Sequence, residues 1–321
     1  MTTPQKKIGS PFGYRSTAQE VIAGIDLTGQ VAVVTGGYSG LGKETVRAIA
    51  GAGAHVIVGA RRPEVAADAL GDVTGEVSVA ALDLADPASI DAFAVHVAET
   101  TPALHLLINN AAIMANPLTR DTRGFESQFA TNHLGHFQLT ARLATLLKAA
   151  QGARVVALSS VAHRIPGLDL NDLHFETRDY EKWTAYGQAK SANALFARHL
   201  DQLGAAHGIR AFSVHPGGIA TPLQRHLTME EQTAMGWYDA EGKVHEAFKS
   251  VEEGAATSVW CAVSPLLAGN GGVYCEDCDV ADAWVEGMPD FTGAQPHIRD
   301  DALAADLWAV SEDLTGVRFA L

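Results

Sequence analysis

Tyr186 and Lys190 stand four residues apart in the stretch Trp183-Thr-Ala-Tyr186-Gly-Gln-Ala-Lys190-Ser-Ala-Asn-Ala-Leu-Phe196. It has no proline, one glycine and many helix-favouring residues, so it predicts a helix. Residues four apart on a helix share a face, which aims the phenol and the ammonium the same way. A free tyrosine titrates near about pH 10 and exchanges protons poorly at neutrality. A neighbouring positive charge favours the phenolate, so Lys190 is expected to lower the pKa of Tyr186 toward the range of a general acid or base. An exposed helical Tyr and Lys at this spacing are also common, and the pair gains weight only from a cofactor loop elsewhere in the chain.

That loop lies near the other end. Gln30 to Thr35 reads QVAVVT, a β-branched run suited to a strand buried on both faces. Gly36-Gly37-Tyr38-Ser39-Gly40-Leu41-Gly42 follows, then a helical run from Lys43 to Ala52. Strand, glycine loop and helix together form a nucleotide cradle. Glycines at Gly36, Gly40 and Gly42 let the backbone approach a pyrophosphate, and Ser39 and Leu41 lie where the helix N-terminus offers free N–H groups. The next strand, His55 to Gly59, ends at Ala60-Arg61-Arg62. A site for NAD usually has a carboxylate here for the ribose 2′-hydroxyl, whereas Arg suits a 2′-phosphate. Arg61 therefore points to NADP(H) over NAD(H), against the alternative that both arginines are solvated loop charges.

These groups need a scaffold, and the chain between them reads as one. Glu64 to Leu70 suggests a short helix, Glu76 to Leu82 a third strand, Pro87 to Glu99 a helix capped by Asp86, and Leu104 to Ile108 a fourth strand running into Asn109-Asn110-Ala111-Ala112. Asp83 and Leu84 follow the third strand at the edge where cofactors lie in open α/β sheets, and both are assigned to the cofactor site. Gly124 to Ala150 is a long amphipathic run, Arg154 to Leu158 a fifth strand, Ile209 to Val214 a sixth, and Gly271 to Cys278 the last strand and its exit. A tail helix is expected from Asp300 to Leu314, with Leu303, Leu307 and Val310 facing the domain. The alternation predicts an α/β protein of Rossmann type, a doubly wound parallel sheet of about seven strands with helices on both faces.

Composition bounds the partners. A chain of 321 residues, 47% of them hydrophobic, can bury a large core as one unit, read as an N-terminal arm over 1–25 and a single domain over 26–321. A net charge of −14 argues against nucleic acid or an anionic membrane as the main partner. No apolar run approaches the ~18 residues of a membrane span. Lys6 and Lys7 lack the apolar stretch of a secretory signal behind them, and three cysteines make no disulfide framework, so a cytoplasmic protein is expected.

Taken together, Thr35-Gly36-x-x-x-Gly40-x-Gly42, Asn109-Asn110-Ala111 and Tyr186-x-x-x-Lys190 resemble the short-chain dehydrogenase/reductase family over about residues 26 to 280. Ala112 departs from it, standing where the family usually has Gly. The resemblance implies that Asn110 and Ala111 line the cofactor site, that Tyr186 and Lys190 touch the cofactor as well as the substrate, and that Asn132 holds a water linking the lysine to solvent. It makes Ser160 of Ser159-Ser160 the catalytic serine, although either residue also reads as a turn. It places Pro216, Gly217, Ile219 and Thr221 at a nicotinamide-binding turn, and it implies a homodimer or homotetramer.

The separation of Ser160 from Tyr186 is about twice the family's usual length, which resembles the retinol dehydrogenase-like group and its bacterial relatives. Leu168, Leu170, Phe175 and Trp183 in that insert suit a lipophilic ligand or packing onto the domain. Residues 222–250 correspond to a substrate loop, with Met229, Met235, Trp237, Tyr238 and Phe248 as an apolar lid, or to an ordinary helical hairpin. His133 and His136 lack a third ligand for a metal, and Cys275-x-x-Cys278 lacks two; no metal is assigned.

The expected activity is an NADP(H)-dependent interconversion of a carbonyl and a secondary alcohol on a lipophilic small molecule. Two other readings stand beside it. One is reduction of a carbon–carbon double bond, as in the protochlorophyllide reductases, which also carry extra sequence before the tyrosine; the other is a catalytically silent, cofactor-binding regulator.

Overall fold

The computed structural model describes residues 3–166, 168–289 and 291–321. Eight strands form one sheet: β1 (Val31–Thr35), β2 (His55–Ala60), β3 (Val77–Ala81), β4 (Leu106–Asn109), β5 (Ala153–Leu158), β6 (Ile209–His215), β7 (Val273–Glu276) and β8 (Asp279–Val280). Their order is β3-β2-β1-β4-β5-β6-β7-β8, and every pairing is parallel except β7 with β8. The order reverses between β1 and β4, which opens a crevice at their carboxyl ends.

Ten α-helices accompany the sheet among the described residues: α1 (Ala18–Ile22), α2 (Gly40–Gly51), α3 (Pro63–Ala69), α4 (Pro87–Thr100), α5 (Ser127–Phe129), α6 (Gly135–Ala149), α7 (Lys182–Gly204), α8 (Met229–Ala234), α9 (Val251–Val263) and α10 (Asp301–Thr315). Successive strand residues point to opposite faces, so Val34, Val58, Ile108 and Val156 enter one core while Val33, Ile57, Leu107 and Val155 enter the other. The first core is closed by α1, α2 and α9 around Trp260; the second is closed by α4, α6, α7 and α10 around Phe137, Phe196 and Trp308. Both Trp260 and Phe137 are fully buried, and truncating either to Ala would cost about 3–5 kcal/mol.

The expected elements form, with Asp86 capping α4 as read. The sheet has eight strands, one more than the sequence suggests. Asp277 and Cys278 both adopt positive φ, 50° and 58°, the left-handed pair that closes a two-residue hairpin and returns β8 along β7. Cys275-x-x-Cys278 is therefore a hairpin with both thiols free and buried, and desolvation pushes the Cys278 thiol up to about 11. Helix α9 is a further addition. Its signal was present in sequence as Ser250-x-x-Glu253, which forms a reciprocal capping box.

The N-terminal arm is fastened to the sheet edge. Gln5 donates through its amide to the carbonyls of Tyr274 and Ala281 and accepts from the Tyr274 N–H. The Asp279 carboxylate accepts N–H groups from Ile8, Gly9 and Ser10. Such pairing covers backbone that the end of a sheet would otherwise leave exposed. Farther along, Arg15 donates to the carbonyls of Glu246 and Phe248 and pairs with Glu253. The insert before α7 mostly packs: Leu168, Leu170 and Leu173 join a small core with Phe129, Leu195 and Leu307, and the Phe175 ring meets Tyr180 edge to face.

Candidate active site

The crevice between β1 and β4 is where most of the chosen residues converge. Gly36, Ser39, Gly40, Leu41, Gly42, Arg61, Asp83, Leu84, Asn110, Ala111, Tyr186, Lys190, Pro216 and Thr221 line one groove, together with Ala112. The loop after β1 is shaped by close approach. A Cβ on Gly42 would stand 2.5 Å from both Asn110 Nδ2 and the Gly36 carbonyl, and Gly36 itself has φ +62°. Only glycine fits there. Ser39 caps α2 by position but its hydroxyl makes no capping bond, leaving first-turn N–H groups for an anion. This cradle fits a dinucleotide's phosphates.

Two residues hold the loop against the turn after β4. The Asn110 amide donates to the Thr35 carbonyl at 2.8 Å, while the Thr35 hydroxyl accepts the N–H groups of Asn110 and Ala111 at 2.9 Å each. Asp83 accepts from the Ala85 N–H and shapes the turn below β3, and Leu84 lies against Gly135, where a Cβ would meet its carbonyl at 2.3 Å. Arg61 is exposed at the groove, and among the described residues neither it nor Arg62 forms an ion pair.

Four of the chosen residues adjoin the lining without forming it. Asn132 is fully buried in a π-helical turn over Ala130–Leu134 that joins α5 to α6; its side chain donates to the Ile113 carbonyl and accepts the Ile113 N–H, both at 2.9 Å. Ser160 is half-buried, its hydroxyl accepts the Ala162 N–H at 3.1 Å, and it is near enough to Tyr186 to act on the phenol's titration. Its neighbour Ser159 lines the groove but gives its hydroxyl hydrogen to the Lys190 carbonyl at 2.7 Å. Gly217 lies on the aliphatic stem of Lys249, and Ile219 pairs with Lys249 as a single β-bridge and packs on Gly254 of α9. Lys249, buried and donating to Asp277, was not among the residues singled out from sequence.

Tyr186 and Lys190 are both buried on one face of α7, 5% and 2% exposed. The Lys190 ammonium donates to the Leu158 carbonyl at 2.9 Å and lies 5.4 Å from the centre of the tyrosine ring. The expected lowering of the tyrosine by the lysine does not occur. Burial raises Tyr186 above its ordinary value, with Ser160 the one opposing influence, and burial also lowers Lys190 to about 7. The reason is that both groups sit away from water, where any charge is penalised before a neighbour can compensate. At neutrality the phenol keeps its proton.

Around the phenol the wall is apolar. Met114, Ala115, Ala162 and Leu227 are buried beside Tyr186, with Ile165, Trp183, Leu223 and Trp237 packed on them. Trp183 meets Tyr186 and Trp237 edge to face, and Trp237 continues to Phe248. Residues 222–250 cover this wall, and Lys182 at the start of α7 pairs with Glu231 of α8.

The short chain dehydrogenase family model matches residues 30–232. The chain belongs to that family. A Streptomyces antibioticus protein named "Probable oxidoreductase" is 45% identical to this short-chain dehydrogenase over 298 residues, 90% of this chain and 98% of its own. Human retinol dehydrogenase 12 is 38% identical over 301 residues, 92% and 89% of the two chains. Among solved structures, an uncharacterized protein from Mycobacterium paratuberculosis matches with a TM-score of 0.74 at 32% identity, covering 96% of this chain and all 100% of that one. A Pseudomonas aeruginosa RhlG/NADP active-site complex matches at 0.61 and 25% identity, covering 78% and 95%. This short-chain dehydrogenase is thus an NAD(P)-dependent oxidoreductase of the retinol dehydrogenase-like kind. Among the described residues, no helix is long and apolar enough to cross a membrane.

Proposed function

We propose that the protein interconverts a carbonyl and an alcohol on a lipophilic small molecule, a secondary alcohol by preference, using NADP(H), with Tyr186 as the proton donor. The observation that carries this reading is the buried Tyr186 phenol, with Lys190 on the same helix face, on a groove continuous with the glycine loop. Gly36, Ser39, Gly40, Leu41 and Gly42 would hold the phosphates, Asp83, Leu84, Asn110 and Ala111 the adenosine and ribose side, and Pro216 and Thr221, with Gly217 and Ile219 beside them in the same turn, the nicotinamide end. When bound, the nicotinamide supplies or accepts the hydride.

The chain's own residues handle the proton. Tyr186 carries its hydrogen at neutral pH and gives it to the oxygen of a carbonyl being reduced; Ser160 holds that same oxygen by a hydrogen bond. Lys190, lowered to about 7, exchanges its proton near neutrality, and Asn132, whose side chain fixes the turn at Ile113, supports the water path by which that proton reaches solvent. The wall of Met114, Leu227, Trp183 and Trp237 excludes water and favours an apolar substrate.

Preference for NADP(H) is supported by Arg61 at the groove with no acidic partner among the described residues, and by the absence of a carboxylate at Ala60. The NADP complex of a structural relative agrees with it. Residues 26–321 then act as one catalytic unit with 222–250 as the substrate loop, assembled as a homodimer or homotetramer. Three buried free cysteines favour the cytoplasm as its compartment. The test is kcat/KM for NADPH and NADH with a panel of lipophilic ketones, aldehydes and conjugated enones. Carbonyl reduction with NADPH preferred is expected. Equal use of both nucleotides defeats the cofactor assignment, and reduction of the enone double bond alone defeats the reaction assignment.

A further inference from the structure

One buried side chain joins the nucleotide turn to the helix of Asn132, and the proton chemistry above does not use it. His136 is 2% exposed; its Nδ1 lies 2.9 Å from the Asn132 carbonyl and its Nε2 lies 2.8 Å from the Thr35 hydroxyl. Donor counting and distance allow one arrangement. A hydroxyl has one hydrogen and two lone pairs, and those of Thr35 receive the N–H groups of Asn110 and Ala111. Its hydrogen has two acceptors in reach, Nε2 at 2.8 Å and the Ile108 carbonyl at 3.5 Å, and the shorter contact takes it. A carbonyl only accepts, so Nδ1 must carry the ring's hydrogen.

The imidazole is thereby fixed as neutral, with the proton on Nδ1. Burial agrees: it lowers His136 to about 4, with nearby Lys190 acting in the same sense. A protonated ring would lose the acceptor that Thr35 needs. Asn132 is thus tied to the turn after β4 twice, directly through Ile113 and indirectly through His136, Thr35 and the Asn110–Ala111 amides. The π-helical turn at Asn132 interrupts the regular helix ladder, and these bonds hold it from outside.

We infer that His136 is a positioning residue that sets the Asn132 carbonyl and the nucleotide-side turn in one register, so that cofactor binding and proton transfer depend on the same imidazole. The inference rests on the roles proposed above for Asn110, Ala111 and Asn132.

Its two halves separate by substitution. His136→Asn places an amide N–H where Nδ1 was and loses the partner of Thr35; His136→Gln places a carbonyl where Nε2 was and loses the donor to Asn132. His133→Leu serves as a control, because His133 is as buried but bonds Ser311 of α10. For each variant the readouts are nucleotide affinity by fluorescence titration, kcat and KM for one carbonyl substrate, and the urea midpoint. Loss of one buried hydrogen bond predicts about a tenfold effect. His136→Asn should weaken nucleotide binding about tenfold and leave kcat closer to wild type. His136→Gln should lower kcat about tenfold with nucleotide affinity and KM kept.

His133→Leu should lose stability while keeping both. If the two His136 variants lose only stability, as the control does, the inference is overturned. Should either fail to fold, Thr35→Val breaks the same chain from its other end and must weaken nucleotide binding for the inference to stand. Nucleotide affinity is read without turnover, so a wild-type protein inactive on every carbonyl would sink the proposed reaction and leave the nucleotide half of this test intact.

Discussion

Lys190 sits over the face of the Tyr186 ring and gives its hydrogen bond to the backbone of Leu158, so the ammonium holds the end of β5 against α7. Tyr186 is kept neutral by burial and Lys190 is held near neutrality for the same reason. The pair is therefore poised with a proton on the phenol, the form that reduction of a carbonyl consumes.

Replacing Tyr186 by Phe removes only the hydroxyl. Hydride transfer in single-turnover mixing should fall by about 10²–10⁴-fold, the usual worth of a general acid, with nucleotide affinity changed less than about threefold. Transfer at the wild-type rate would dismiss Tyr186 as the donor.

Arg61 faces the groove without an ionic partner among the described residues. Exchange of Arg61 for Asp should lower kcat/KM for NADPH about 10–100-fold, the worth of a charge-assisted hydrogen bond, while NADH is used as well as before or better. Equal losses with both nucleotides would mean that Arg61 does not read the 2′-phosphate.

Three buried imidazoles and a half-buried fourth, His215, set an acid limit. Burial lowers His133, His163 and His215 to about 3 and His136 to about 4. Below pH 6.5 the unfolded chain takes up protons at these positions and the folded chain does not, so stability is full above 6.5 and is lost as pH falls toward 4 to 3. Each imidazole adds up to ~1.4 kcal/mol per pH unit to that slope. Urea titrations at pH 7, 6 and 5 should show a falling midpoint, with a shallower fall in His133→Gln. An unchanged slope in that variant would show that His133 takes up its proton in the folded state.

The N-terminal arm should be structural. Asp279→Ala strips the acceptor from three successive N–H groups at Ile8, Gly9 and Ser10, and should cost about 1–3 kcal/mol by urea unfolding while opening residues 3–17 to proteolysis. An arm equally resistant in the variant would show that Gln5 and Arg15 suffice to hold it.

Much of this was legible before the coordinates. The β-branched runs, the glycine loop and the Tyr186-x-x-x-Lys190 spacing are local patterns, and local patterns dictate strand, turn and helix face without knowledge of the rest of the chain. Helix α9 was legible too, through its capping box at Ser250 and Glu253, though its apolar run shows little period because it is buried almost all round. The two-residue strand β8 is too short to carry a pattern of its own.

The tertiary structure decided what no spacing encodes. Ser159 and Ser160 are indistinguishable as letters, and the fold gives one hydroxyl to the Lys190 carbonyl and turns the other to the Ala162 N–H, near enough to Tyr186 to act on its titration. Thr35 and His136 are 101 residues apart and become partners only when β1 and α6 pack together. The direction of the Tyr186 shift followed from the same cause. Charge pairing is readable from sequence, but desolvation is a property of the packed interior, and here it sets the direction for both Tyr186 and Lys190.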